Sequence, residues 1–179
     1  ATWWNQAGPF LAYLARCQQL LRQGRFVADV LYYNGDGAPN LVQPKHVDPS
    51  LGPGFDYDVC NEEVLLTRLA VRDGRIVLPD GMSYRLLVLP ETTRMPANVM
   101  AKIKSLVAAG ATVVGPRPDR DSGLRDYPQS DREVRAGAAA VWGDCNGRDV
   151  TLHRFGQGRV FWGVTLREIL QHDGVEPDF

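Results

Sequence analysis

SYRLLVLPETTRMPANVMAKIKSLVAAGATVVGPRP, residues 83–118, reads as strand, loop, helix and strand, and it decides the fold. Leu86, Leu87, Val88 and Leu89 form a short, wholly apolar run of the kind found in a sheet covered on both faces. Pro90 ends that run, and Glu91, Thr92 and Thr93 carry the chain off the sheet edge. Pro96 suits the first turn of a helix, where a missing N–H costs nothing. Val99, Met100, Ile103, Leu106 and Val107 then recur at helical spacing, with Gly110 placed to cap the end. Ala111, Thr112, Val113 and Val114 make a second buried-strand run, stopped by Gly115 and Pro116. Two apolar strands joined by a helix form a right-handed crossover, so the sheet is at least partly parallel.

The flanking sequence adds elements to this unit. Phe10, Tyr13, Leu14, Cys17, Leu20 and Leu21 line one stripe of an N-terminal helix that Gly24 closes. FVADVLYY, residues 26–33, predicts the first strand, and NGDGAP follows as a loop. Residues 40–57, rich in Pro, Gly and Asp, predict a long surface loop. A short strand over residues 55–59 precedes a helix that Asn61 caps, with Glu62 and Glu63 in its first turn, running through Leu69. Asp73-Gly74 between Val71 and Val77 predicts a two-residue hairpin. The polar run DRDSGLRDYPQSD predicts a loop, with Asp131 capping a helix from Arg132 to Trp142 that Gly137 weakens. Residues 150–155 and 159–163 predict a second hairpin, and Thr165 a cap for a last helix through His172. The expected fold is a three-layer α/β, mostly parallel sheet with helices on both faces, one or two β-hairpins and an extra N-terminal helix.

Composition narrows the function. Twenty basic and 21 acidic residues give a net charge of −1, which favours neither nucleic acid nor an anionic membrane as partner. The apolar runs are far shorter than a membrane span, so the chain reads as soluble. Cys17, Cys60 and Cys145 lie far apart without C-x-x-C spacing, which argues against a zinc site and a disulfide framework. His46, His153 and His172 are scattered and suggest no metal spacing. The chain begins ATWW without a start methionine and ends EPDF just after a helix, as a piece of a longer polypeptide would.

Open α/β sheets bind ligands at the C-terminal ends of their strands, here the loops NGDGAP, ETT and PRP. Asp36, Glu91 and Arg117 are the candidate residues of such a strand-end pocket. Against this, NGDG lacks G-x-G-x-x-G spacing, and Glu91 reads more readily as a solvated or capping carboxylate. The VLPETT junction has neither the glycines nor the nucleophile of a G-x-S-x-G elbow. Acidic neighbours oppose a reactive thiolate at Cys60, which reads as structural. Trp3, Trp4 and Asn5 form the most distinctive local group; paired tryptophans either stack on a sugar face or pack beneath the first helix.

TWWNQAGPFLAYLARCQQLLRQGRFVADVLYY, DYDVCNEEVLLTRLAVRDGRIVLPDGMSYRLLVLPE, IKSLVAAGATVVGPRP and GQGRVFWG together closely resemble glycoside hydrolase family 106, the α-L-rhamnosidase-like family of large multidomain bacterial enzymes. The resemblance covers nearly the whole chain. It implies that residues 1–24 are the closing helix of an upstream catalytic (β/α)8 barrel. Residues 25–174 are then a domain with a flavodoxin-like sheet resembling class I glutamine amidotransferases, and 175–179 a linker to β-sandwich modules downstream. The family's catalytic glutamates lie in the barrel, so no catalytic residue, cofactor or metal site is expected in this chain. The implied partners are those neighbouring domains of the same polypeptide and, indirectly, a carbohydrate substrate. The implied setting is a periplasmic or secreted bacterial enzyme, with oligomer formation left open. Placed at the barrel end, where such barrels build their active sites, Trp3, Trp4 and Asn5 are the expected sugar contacts. The competing reading is an independent small-molecule-binding or hydrolytic domain acting through Asp36, Glu91 and Arg117.

Overall fold

The computed structural model describes residues 2–38, 47 and 49–178. A short 3-10 turn, Trp4–Gln6, leads into α1, Gly8–Leu21. The main sheet has six strands in the order β2 (Tyr57–Cys60), β1 (Val30–Tyr33), β6 (Leu86–Val88), β7 (Thr112–Val114), β9 (Gly158–Phe161) and β8 (Leu152–Phe155). All neighbours are parallel except the β8–β9 hairpin at one edge. A separate antiparallel sheet joins β3 (Ala70–Arg72), β4 (Arg75–Val77) and β5 (Ser83–Tyr84). The remaining helices are α2 (Glu62–Arg68), α3 (Ala97–Ala108), α4 (Gln129–Trp142) and α5 (Leu166–His172).

Alternation along each strand sorts the core into two layers. Leu31, Tyr33, Leu87, Leu89, Val113 and Val160 face one side, where Leu65 of α2, the apolar stripe of α3, and Val134, Ala138, Val141 and Trp142 of α4 cover them. Val30, Tyr32, Leu86, Val88, Val114 and Phe161 face the other side, covered by Leu166, Ile169 and Leu170 of α5 together with Leu51, Phe55 and Val175. The three layers and both hairpins therefore match the expectation.

Local signals act as the sequence predicts at most ends. The Asn61 side chain accepts the Val64 N–H at 3.0 Å. Thr165 and Glu168 complete a capping box at α5. Asp73 and Gly74 take positive φ values of 51° and 73°, the geometry of a type I′ hairpin turn. The ion pair between Arg159 and Asp173 ties the end of α5 to β9, with the Arg159 guanidinium also over the Phe161 ring.

Four expectations need correction. The first strand starts at Val30, not Phe26; Phe26 and Val27 stay exposed, since they lie before the pairing with β2 and β6. β2 runs one residue past the expected Val59 to Cys60. Helix α4 starts at Gln129, and Asp131 does not cap it; the Asp131 carboxylate instead accepts the Asp121 N–H at 2.9 Å. The loop expected at 40–57 is more than surface in its described part: Leu51 and Phe55 are core residues, and the Tyr32 hydroxyl donates to the Pro49 carbonyl at 2.7 Å. Residues 40–46 and 48 of that loop, and Pro39 of the NGDGAP loop before it, lie outside the described residues.

Gly137 does not weaken α4 idly, because it sets the α3–α4 contact. A Cβ there would sit 2.9 Å from Met100 Cγ. Trp142 anchors the other end of the helix, fully buried, with its indole N–H donating to the Gly115 carbonyl at 3.0 Å. Gly137→Val should therefore destabilise the fold by about 1–3 kcal/mol through overpacking. Trp142→Phe should cost a similar amount by orphaning that carbonyl and leaving space behind. Urea unfolding of both variants checks this, and an unchanged midpoint for either would contradict the stated packing.

Candidate functional site

The strand order reverses direction at β1, so the edge beyond Tyr33 and Leu89 is where such a sheet would take a ligand. Among the described residues this edge is closed. A Cβ at Gly35 would meet Pro90 Cγ at 3.2 Å, so the loops after β1 and β6 lie against each other. The loops after β6 and β7 are joined by main-chain bonds beyond the strands. Leu89 N–H donates to Val114, Asp119 N–H to Thr93 and Met95 N–H to Arg120, at 2.8, 2.8 and 3.1 Å. These bonds occupy three main-chain N–H groups at the ends of β6 and β7.

The three candidate pocket residues go separate ways. Asp36 lies within electrostatic reach of the Tyr33 hydroxyl, which burial first, and then Glu62 and Asp36, hold above the usual phenol range. Arg117 donates to the Gly143 carbonyl at the end of α4, at 3.1 Å. Glu91 stays exposed on its loop. None of them lines the cleft beside α2 described next.

The cleft beside α2, of about 620 Å³, is lined by Asn34, Asp58, Cys60, Arg68, Asp80 and Tyr84 among others. Its groups are mutually engaged: the Tyr84 hydroxyl donates to Asp58 Oδ2 at 2.7 Å, and Arg68 lies 3.7 Å from Asp80. Burial pushes the Cys60 thiol up to about 12, with the Asp58 charge adding to it. A thiol that far above neutrality is protonated and unreactive, in line with the structural reading of Cys60. No group of three or more His, Cys, Asp or Glu side chains that could hold a metal ion occurs among the described residues.

The unusual surface is at the N-terminus. Trp3 and Trp4 are 56% and 61% exposed, and Phe10, Leu11, Tyr13, Leu14, Leu20 and Leu21 are exposed along α1. No residue of α1 is buried. The two tryptophan rings are 6.2 Å apart and inclined at 59°, so they do not make one flat platform; a sugar ring would lie on one or the other. Asn5, between Trp4 and the start of α1, is exposed beside them. The stripe was legible in the sequence, and its exposure at Trp3, Trp4, Phe10 and Tyr13 is what a segment packed against an upstream domain would show when taken alone.

Comparison with known proteins agrees with this architecture. Residues 1–179 match the family model of glycoside hydrolase family 106, described as alpha-L-rhamnosidase, and the chain belongs to that family. The solved rhamnosidase of Novosphingobium sp. PP1Y superposes with a TM-score of 0.82 at 30% identity, covering 98% of this chain and 16% of that one. A protein of Formosa agariphila described as a putative beta-glucuronidase is 35% identical over 161 residues, 88% of this chain and 13% of its own length. The chain thus spans less than a fifth of each of these relatives. Among the described residues, no helix is long and apolar enough to cross a membrane.

The thiols offer a direct check. Cys17 is partly exposed, whereas Cys60 and Cys145 are buried. Iodoacetamide at pH 8 should label Cys17 alone in the folded protein. Because the folded pKa of Cys60 lies above its ordinary value of 9, its contribution to stability is complete below pH 9 and is lost as pH rises towards 12. Rapid labelling of Cys60 at pH 8 would contradict its burial. A second check is Tyr33→Phe. The Tyr33 hydroxyl is buried without a hydrogen-bond partner among the described residues, so its removal should leave the melting temperature unchanged or raise it.

Proposed function

We propose that this chain is a non-catalytic accessory region of an α-L-rhamnosidase-like hydrolase acting on rhamnose-containing plant or microbial polysaccharides. Its apolar N-terminal helix is the docking element. The observation that carries this is the exposure of α1 on every side, next to a sheet whose own faces are already covered. Each large apolar side chain contributes about 1.5–3 kcal/mol on full burial, so a stripe of this size gives a strong drive to find a partner. The occupant is the neighbouring part of the same polypeptide, since the relatives are six or more times longer than this segment. Residues 1–24 then close an upstream catalytic barrel, 25–174 form the amidotransferase-like domain, and 175–179 lead to the next module. In that position Trp3, Trp4 and Asn5 border the substrate cleft of an exported bacterial enzyme.

The closed strand-end edge supports a silent role for the domain's own loops. Glycoside hydrolysis needs two carboxyl groups placed across the scissile bond, and the carboxylates of the α2 cleft are tied to Tyr84 and Arg68 instead. Hydrolysis of an aryl α-L-rhamnoside should appear only in a polypeptide extended upstream through the barrel. Turnover by residues 1–179 alone would overturn this assignment. Phe10→Asp with Leu14→Lys should leave the isolated chain folded and reduce its binding of a hydrophobic dye. In the extended enzyme the same pair should lower thermal stability and activity together. If the extended enzyme tolerates both charges, α1 is not the docking element.

A further inference from the structure

We propose that the outward face of the β3–β4–β5 sheet is a second docking surface, fitted to an acidic patch on the neighbouring part of the same polypeptide. This rests on the docking reading above and adds an electrostatic contact to the apolar one at α1.

The small sheet has one face turned to the core and one turned away from it. Its register sets Val71, Ile76 and Tyr84 on the core side, and Ala70, Arg72, Arg75, Val77 and Ser83 on the other. Beside that outer side lies a cleft lined by Arg25, Arg68 and Arg72 together with Ala70, Val77 and Pro79, and no carboxylate lines it. Arg25 comes from the root of α1. Its guanidinium lies so close to Gly81 that a Cβ there would overlap it, which sets the root of the helix against the turn before β5. Asp80, the acidic residue of that turn, lies 3.7 Å from Arg68. Arg25 and Arg72 make no ion pair among the described residues.

Three guanidiniums around one cleft are unexpected in a chain whose net charge is −1. The hairpin also sets Arg72 directly opposite Arg75, and like charges in that position destabilise a strand pair. Burial, and then the nearby Arg85 charge, hold the Arg75 guanidinium below its usual range. The chain's own groups do not relieve the crowding at Arg72: Arg75 donates to Ser83, and Arg85 pairs with Asp29. Carboxylates brought from outside would relieve it, and a guanidinium is well shaped to hold them through paired hydrogen bonds.

Two observations favour a protein surface over a small anion as the occupant. The face is open and mixes arginine with Ala70, Val77 and Pro79, as interfaces between proteins do. Leu20 and Leu21 before Arg25, and Phe26 and Val27 after it, are all exposed. A partner that covers α1 to its last turn therefore reaches Arg25 as well. The relatives are six or more times longer than this chain, so the same polypeptide has such a partner to offer.

Phenylglyoxal labelling read by peptide mass spectrometry, on this chain and on a polypeptide extended upstream, tests the coverage. Arg25 and Arg72 should react at least fivefold more slowly in the extended protein. Arg72→Glu tests the charge, and its effect should differ in sign between the two. In this chain alone it places a carboxylate opposite Arg75, so the melting temperature should hold or rise. In the extended protein the melting temperature should fall by about 2 °C or more at low salt. Most of that loss should vanish at about 1 M salt, where the screening length is about 3 Å. Equal labelling in the two proteins would overturn the proposal, as would a melting temperature of the extended protein that Arg72→Glu leaves unchanged or lowers independently of salt. Protection of both arginines in this chain by millimolar phosphate would assign the face to a small anion instead. Protection that grows with the concentration of this chain would assign it to a second copy. Phe10→Asp with Leu14→Lys tests the helix separately, so failure there and failure at the arginines are read apart.

Discussion

A parallel sheet must be covered on both faces, and the chain meets that constraint with its own residues. Three helices cover one side of the six strands. One helix and the Leu51–Phe55 segment cover the other. Everything distinctive about the molecule follows from this closure. The core asks nothing of α1, so a helix with an apolar stripe is left over, and the proposed docking role rests on that stripe.

The same closure separates this sheet from ligand-binding sheets that it resembles in outline. Ligand sites in open α/β folds rely on loops that diverge where the strand order reverses. Here Pro90 lies against Gly35, and the backbones at Thr93–Met95 and Asp119–Arg120 continue the pairing of β6 with β7. Away from that edge, the Asp121 carboxylate and the Asp126 carbonyl organise the starts of two helices.

Where the sequence was informative, it was so for local reasons. Short apolar runs, Asn61, Thr165 and Asp73-Gly74 each express their preference through bonds to near neighbours, and each is found as expected. The misreadings arose where distant residues decide. Asp131 has the chemistry of a cap, but a partner ten residues earlier takes its carboxylate. Gly137 looks like a helix weakness until Met100 is set against it. Leu51 and Phe55 lack any periodicity that would mark them as core, because an irregular segment can bury side chains without repeating. The strand-end candidates Asp36, Glu91 and Arg117 were chosen from topology alone, and topology does not reveal that neighbouring loops are bonded together. Trp3 and Trp4 were conspicuous by type, although only the coordinates give the tilt between their rings.

The continued pairing beyond β6 and β7 also has a mechanical meaning. Main-chain bonds between Thr93 and Asp119, and between Met95 and Arg120, depend on no particular side chain and resist sliding of one loop over the other. The domain consequently behaves as a stiff block at this edge. A displacement of either loop would carry the other with it, rather than being absorbed by loops that open and close.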